Sequence, residues 1–149
     1  MKAEANAGSG WVTEALRACA GAAALCAFGS SVVFDAIGHR SEGQFVYARG
    51  SYLLTCIGLL VGVAGVVFQV SHVSVLPSGT ASRRRGFVQL AVADLVLLWF
   101  AFCYLLRRPH SYTTLTFVVS LISGVVVAVG TVSHVLGLRP DADPAPRDG

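Results

Sequence analysis

Residues Ser51–Pro77 read SYLLTCIGLLVGVAGVVFQVSHVSVLP, and this stretch decides the fold. It is apolar for longer than a soluble core helix needs, and about 20 such residues suffice to cross a bilayer. Pro77 stops it, because proline cannot continue a helix. Gly58, Gly62, Gly65, Gln69 and His72 follow one another at steps of 4, 3, 4 and 3. Those steps keep one helical face. It carries small residues at one end and two hydrogen-bonding side chains at the other. Gly58-x-x-x-Gly62 is a small-xxx-small pattern, which lets membrane helices approach closely.

Three more apolar runs flank this one. Ala18–Ile37 is a 20-residue run with one charge, Asp35. It is too long for a signal-peptide core, and no small-x-small cleavage site follows it, so it reads as a retained span. Phe87–Leu106 contains Gln89 and Asp94 and is stopped by Arg107-Arg108-Pro109. The last run starts at Tyr112 and is stopped by Arg139-Pro140. The expected spans are about 12–37, 52–76, 87–106 and 112–138 within one membrane domain, 11–139. Residues 1–10 and the acid- and proline-rich 140–149 read as disordered tails. Trp11 reads as an interfacial anchor, while Glu14 and Arg17 can pair on the helix surface with Arg17 snorkelling outward.

Composition supports lipid as the solvent. The chain has 149 residues, 54% hydrophobic and 13% charged, against about 25% charged in a typical soluble domain. Its mean hydropathy is +0.67. A chain this short cannot hide so much apolar surface from water by folding alone. The expected fold is therefore all-α, a four-helix transmembrane bundle running up-down-up-down.

The net charge of +3 is no nucleic-acid footprint, because the basic residues cluster at the ends of apolar runs. Four spans place both termini and the second loop on one side. That side holds Lys2, Arg17, Arg83, Arg84, Arg85, Arg139 and Arg147; the other holds Arg40, Arg49, Arg107 and Arg108. The positive-inside rule then puts both termini in the cytoplasm. The strong preference for arginine over lysine fits a GC-rich bacterial genome, so the expected location is a bacterial inner membrane.

Spans two and four resemble each other at a shift of 62 residues. Gly62 falls on Gly124, Ser71-His72-Val73 on Ser133-His134-Val135, and Leu76 on Leu138. The fourth span's face continues as Ser120, Gly124, Val127, Thr131 and His134. Two parallel hairpins related by an axis along the membrane normal would follow, with small residues drawing helices two and four together. Chance similarity between two glycine- and valine-rich helices is the competing reading.

Ionisable groups inside a span are costly, and are functional candidates for that reason. Asp35, His72, Asp94 and His134 qualify, and Gln69 and Gln89 add neutral hydrogen-bonding capacity. Asp94, Gln69 and Gln89 are the candidates for a proton or ion relay with the histidines. His72 and His134 lie at matching depth, each roughly 6 Å from its helix end, and such a pair also suits bis-imidazole ligation of haem b. Against both stands a structural role, in which these groups hydrogen-bond across helices or face the headgroups. Cys19, Cys26, Cys56 and Cys103 lack metal-site or redox spacing and read as buried thiols, Cys56 and Cys103 being the one pair placed for a disulfide. No nucleophile–base pair, phosphate loop or metal-ligand spacing appears.

From Val33 onward the layout resembles the DUF2231 family of small bacterial membrane proteins. The matching elements are VVFDAIG, VYARG, GVAGVV, VLPSGTASRRR and LLRR, spread over roughly residues 25–138. The resemblance implies a four-span membrane fold and no particular reaction. The family's histidine-proline motif in span one is missing here, and Gln89 stands where a histidine would open span three. The sequence thus points to a non-enzymatic membrane protein, an accessory or scaffold subunit whose partners are the bilayer and other membrane proteins or further copies of itself. No resident cofactor or metal is expected on the main reading.

Overall fold

The computed structural model describes residues 2–40, 44–106 and 114–137. Side chains are described from Val12 onward in the first helix, Thr13 excepted, and from Thr116 onward in the last. The described residues form four helices: α1 (Lys2–Gly38), α2 (Gln44–Val75), α3 (Ala81–Leu106) and α4 (Thr114–Gly137). Each contains a segment long and apolar enough to cross a membrane: Glu14–Gly38, Gln44–Val75, Ala81–Leu106 and Thr116–Gly137. This is the all-α, four-span architecture expected from the sequence. Only about a fifth of each apolar window is buried within the chain, so the rest is an apolar exterior suited to lipid.

The helices are longer than expected at three ends. α1 begins at Lys2, so residues 2–10, expected as a disordered tail, continue the helix. α2 begins at Gln44, so Phe45 and Tyr47 are helical rather than in a loop. α3 begins at Ala81, which places Arg83, Arg84 and Arg85 in its first turns. Thr80 caps it: the Arg83 amide donates to Thr80 Oγ1 at 3.3 Å, and the Arg84 amide to the Thr80 carbonyl at 3.2 Å. The α2–α3 turn passes through Gly79 at φ 87°, a conformation that glycine adopts without a Cβ penalty. The side chain of Trp11, Arg107–Pro109 and residues 138–149 lie outside the described residues.

Neighbours in sequence are neighbours in space. α1 packs on α2 and α4, and α3 packs on α2 and α4, with the α1–α2 hairpin the most extensive contact. α2 and α4 therefore lie across the bundle from each other. This corrects the expectation that their small faces meet. The glycines of α2 are used against α1 instead. A Cβ on Gly58 would meet the Phe28 ring at 2.5 Å, and one on Gly65 would touch Ala20 at 3.6 Å. Gly62 faces both Leu97 of α3 (2.5 Å) and Ala24 of α1 (3.6 Å). Gly124 of α4 lies over Val32 of α1 at 3.7 Å. Small residues permit close approach as foreseen, but between different helices.

The core is the diagonal contact of α1 with α3. Ala24, Phe28, Val96 and Phe100 are buried together, and the Phe28 and Phe100 rings stack with centroids 4.0 Å apart. On the side away from the termini the joints are polar. Ser31 Oγ lies 3.1 Å from Ser51 Oγ and 2.8 Å from Thr55 Oγ1, linking α1 to α2. Trp99 Nε1 donates to Ser123 Oγ at 2.9 Å, linking α3 to α4. Tyr52 OH donates to Tyr104 OH at 2.6 Å, linking α2 to α3. Hydroxyls serve here because each can also bond a backbone carbonyl of its own helix, as Thr55 does to Ser51 and Ser123 to Val119.

The cysteines depart from the expectation of four buried thiols. Cys103 is buried, with its sulfur 3.6 Å from Ser123 Oγ. Cys56 is half-buried and unbridged, so no disulfide joins it to Cys103. Cys19 and Cys26 face outward, on the lipid side of α1.

Candidate functional site

A cavity of about 100 Å³ lies between the four helices on the side of the termini. Three sequence features create it. Gly21, Gly62, Gly65 and Gly130 withhold side chains from its walls. Phe28 and Val96 of the core close its inner end. At its outer end α1, α2, α3 and α4 each contribute a polar side chain: Arg17, Gln69, Gln89 and His134, with Ser133 beside the last.

These groups form a directed chain. Arg17 Nη1 donates to Gln69 Oε1 at 2.8 Å, and Gln69 Nε2 donates to Gln89 Oε1 at 3.3 Å. Arg17 also approaches Glu14, Nη2 to Oε1 3.8 Å, but Glu14 is 63% exposed whereas the Arg17 side chain is only 11% exposed. Arg17 therefore does not snorkel outward as expected. It turns inward, because Gln69 offers it a carbonyl one helix away. The inward turn is costly for a cation unless its N–H groups find acceptors, and one of them, Nε, is buried without a partner.

His134 completes the site. Its ring lies on Gly21, where a Cβ would stand 2.5 Å from Cε1 and 2.9 Å from Nδ1. The ring lies beside the backbone of Ala18, and Nε2 is buried with no hydrogen-bond partner. Gln89 packs on the end of α4 against Gly137, where a Cβ would collide with its amide. Two buried polar atoms without partners, on facing helices around one cavity, are exceptional, since buried polar groups are nearly always satisfied.

The structure brings together some of the residues singled out in the sequence and separates others. Gln69, Gln89 and His134 share this site, and the buried or half-buried Gly58, Gly62, Gly65 and Gly124 lie in helix contacts. His72 is half-buried and does not line the cavity. The two histidines thus do not face one pocket, and a space of about 100 Å³ is too small for a porphyrin, so these residues do not fit haem b. Asp94 is exposed on α3 and does not line the cavity that holds His134. Among the described residues no hydrogen bond links Asp94, His72 and His134. Asp35, by contrast, is buried, 3% exposed.

Sequence reasoning missed Arg17 and Gly21. Arg17 looked like an ordinary end-of-helix anchor. The signal available was the spacing Arg17-x-x-x-Gly21 in register with the small face of α2, which becomes informative only once α1 is known to be its neighbour.

Comparison of the chain with family models, with curated proteins and with solved structures gave no match.

Proposed function

We propose that this chain is a non-enzymatic accessory or scaffold subunit of a bacterial inner membrane, with both termini in the cytoplasm, and that it binds another membrane protein through the outer face of α3. One observation carries the reading: Asp94 is exposed near the middle of an apolar membrane-spanning helix, and among the described residues nothing bonds it. A carboxylate facing lipid at mid-depth costs about 2.5–3.5 kcal/mol on insertion scales. A partner helix that offers a cation or an N–H donor at that depth removes the cost. Asp94 lies on one stripe with Phe87, Ala91, Leu98, Phe102 and Leu105, all exposed, so the same contact would bury large apolar side chains. The glycine face of α2 is unavailable for this purpose, because it is consumed inside the bundle. The charge distribution supports the orientation, and the DUF2231 resemblance is part of the same proposal.

Photo-crosslinking in cells tests it. A photoreactive residue at Leu98 should give one discrete heteromeric product, and the same residue at Leu60, exposed on α2, should not. Asp94→Leu should abolish the product, and Asp94→Glu should retain it. A product of twice the chain's own mass, equal labelling from both faces, or a product indifferent to Asp94→Leu would each refute the proposal.

A further inference from the structure

The cavity on the termini side has a chemistry of its own, carried by residues other than the Asp94 face. Its rim carries a cation, Arg17, and among the described residues no Asp or Glu lines it. Two of its lining side chains each hold a buried polar atom with nothing to bond, Arg17 Nε and His134 Nε2. Arg17 is one helical turn before Gly21, and His134 rests on Gly21, so the two groups are adjacent. Their demands differ. Arg17 Nε–H can only donate. His134 Nε2 accepts when the neutral ring carries its proton on Nδ1 and donates when the ring is protonated. A halide satisfies Arg17 alone. A carboxyl group satisfies both at once: one oxygen accepts from the guanidinium, and the other meets Nε2 with a proton held between them.

The remaining walls set the body of the ligand. Behind the polar rim stand Ala24, Leu25, Phe28, Val92 and Val96, which are apolar and closed inward by the Phe28–Phe100 stack. A dry cavity of about 150 Å³ admits benzene. At about 100 Å³ this one has room for a chain of roughly two to four carbons beneath the carboxyl group.

We propose that this cavity is a binding site for a short-chain carboxylic acid, entering from the side of the termini, with its carboxyl group on Arg17 and His134 and its hydrocarbon against Phe28 and Val96. Gln69 and Gln89 position Arg17: Gln69 Oε1 accepts from Nη1, and Gln89 fixes Gln69 in the orientation that presents that oxygen. The glycines of the wall are then explained as space reserved for the ligand as well as for helix packing.

The test is binding of carbon-13-labelled butyrate to the purified full-length chain in nanodiscs, followed by NMR and calorimetry. Saturable binding is expected to the wild type, unaffected by an equal concentration of chloride, with butyramide about tenfold weaker for loss of the charge-assisted contact. Arg17→Gln should weaken butyrate by about 10- to 100-fold. Ala93→Leu keeps every polar group and fills the cavity from α3; it should abolish binding while helicity and melting temperature hold, which covers the case in which Arg17→Gln does not fold. Oleate supplied in the bilayer should not compete. Absence of saturable butyrate binding means the cavity holds water only and overturns the proposal. Equal competition by chloride, binding indifferent to both substitutions, or competition by oleate alone overturns it too. Asp94→Leu should leave butyrate binding intact.

Discussion

Gly58→Ala is the sharpest test of the packing. The added methyl would stand 2.5, 2.6 and 3.2 Å from three carbons of the Phe28 ring. Cβ contacts of that length do not persist, so ring or backbone must move. The ring cannot swing freely: it is 1% exposed and stacked on Phe100 at 4.0 Å with planes 10° apart. Overpacking a filled core costs about 1–3 kcal/mol, and disturbing the stack forfeits up to about 1.5 kcal/mol. Against this, alanine in a helix interior gains about 1 kcal/mol over glycine. The net effect is a loss of about 0.5–3.5 kcal/mol, the larger end applying if the stack breaks. Gly124→Ala is the matched control. Its methyl meets only Val32 at 3.7 Å, ordinary contact, so it should be neutral or slightly stabilising. The assay is reversible unfolding in mixed micelles with increasing SDS, read by helicity and tryptophan fluorescence. Gly58→Ala combined with Phe28→Leu should recover at least half of the loss, because a smaller side chain makes room for the methyl. A Gly58→Ala protein as stable as the wild type would show that the Phe28 ring is not wedged between Gly58 and Phe100, and the diagonal core would have to be redrawn.

Other substitutions report on single contacts. Gly21→Ala should displace His134 and abolish butyrate binding, with a stability change under about 1 kcal/mol because the imidazole can rotate into the cavity. Ser31→Ala removes the shared partner of Ser51 and Thr55, yet both keep a backbone carbonyl, so the cost should be near 0.6 kcal/mol and below about 1.7 kcal/mol in the same SDS titration. His72→Ala should be nearly silent in stability, and protein purified from haem-replete cells should show no Soret band; a band removed by His72→Ala would reinstate a haem site. Gly79→Ala, at φ 87°, should cost about 1 kcal/mol by strain alone.

The spans were legible because length and apolarity are one-dimensional quantities. Ser51–Pro77 declares a membrane helix without reference to any other residue. The face Gly58, Gly62, Gly65, Gln69 and His72 was legible as a face for the same reason, since 3.6-residue periodicity is local. Its neighbour was not. Helices α1, α3 and α4 all carry small residues, and a stripe of glycines fits any of them. The choice of α1 depends on Phe28 finding Gly58 and on Ala24 finding Gly62, contacts between residues some 30 to 38 positions apart. Arg17 failed for a related reason: a basic residue near a helix end snorkels unless an acceptor waits inside, and whether Gln69 waits there is a matter of tertiary geometry. Asp94 failed in the opposite direction. An ionisable group in a span is read as facing the bundle, and here the outward orientation is the informative fact.

The polar groups of the bundle fall into two sets separated by a plug. On the side of the termini are Arg17, Gln69, Gln89 and His134; on the other are Ser31, Ser51, Thr55, Ser123 and the Trp99 indole. Between them stand Phe28 and Phe100, 1% and 0% exposed, face to face. Moving a proton or ion along the bundle axis means crossing that pair, whose rings offer no hydrogen-bonding group and where an unpaired charge costs several kcal/mol. A single chain with this core is expected not to conduct. With that plug in place, the proposed carboxylate site would retain its ligand rather than pass it on. Phe28→Ala separates the two cases: enlarging the gap should let the cavity take a longer acid, hexanoate as well as butyrate, while proton flux in liposomes stays at the lipid baseline. Flux that rises with Phe28→Ala and falls again with Ser31→Val would show that the far hydroxyls form the second half of a path, closed in the wild type by one aromatic pair.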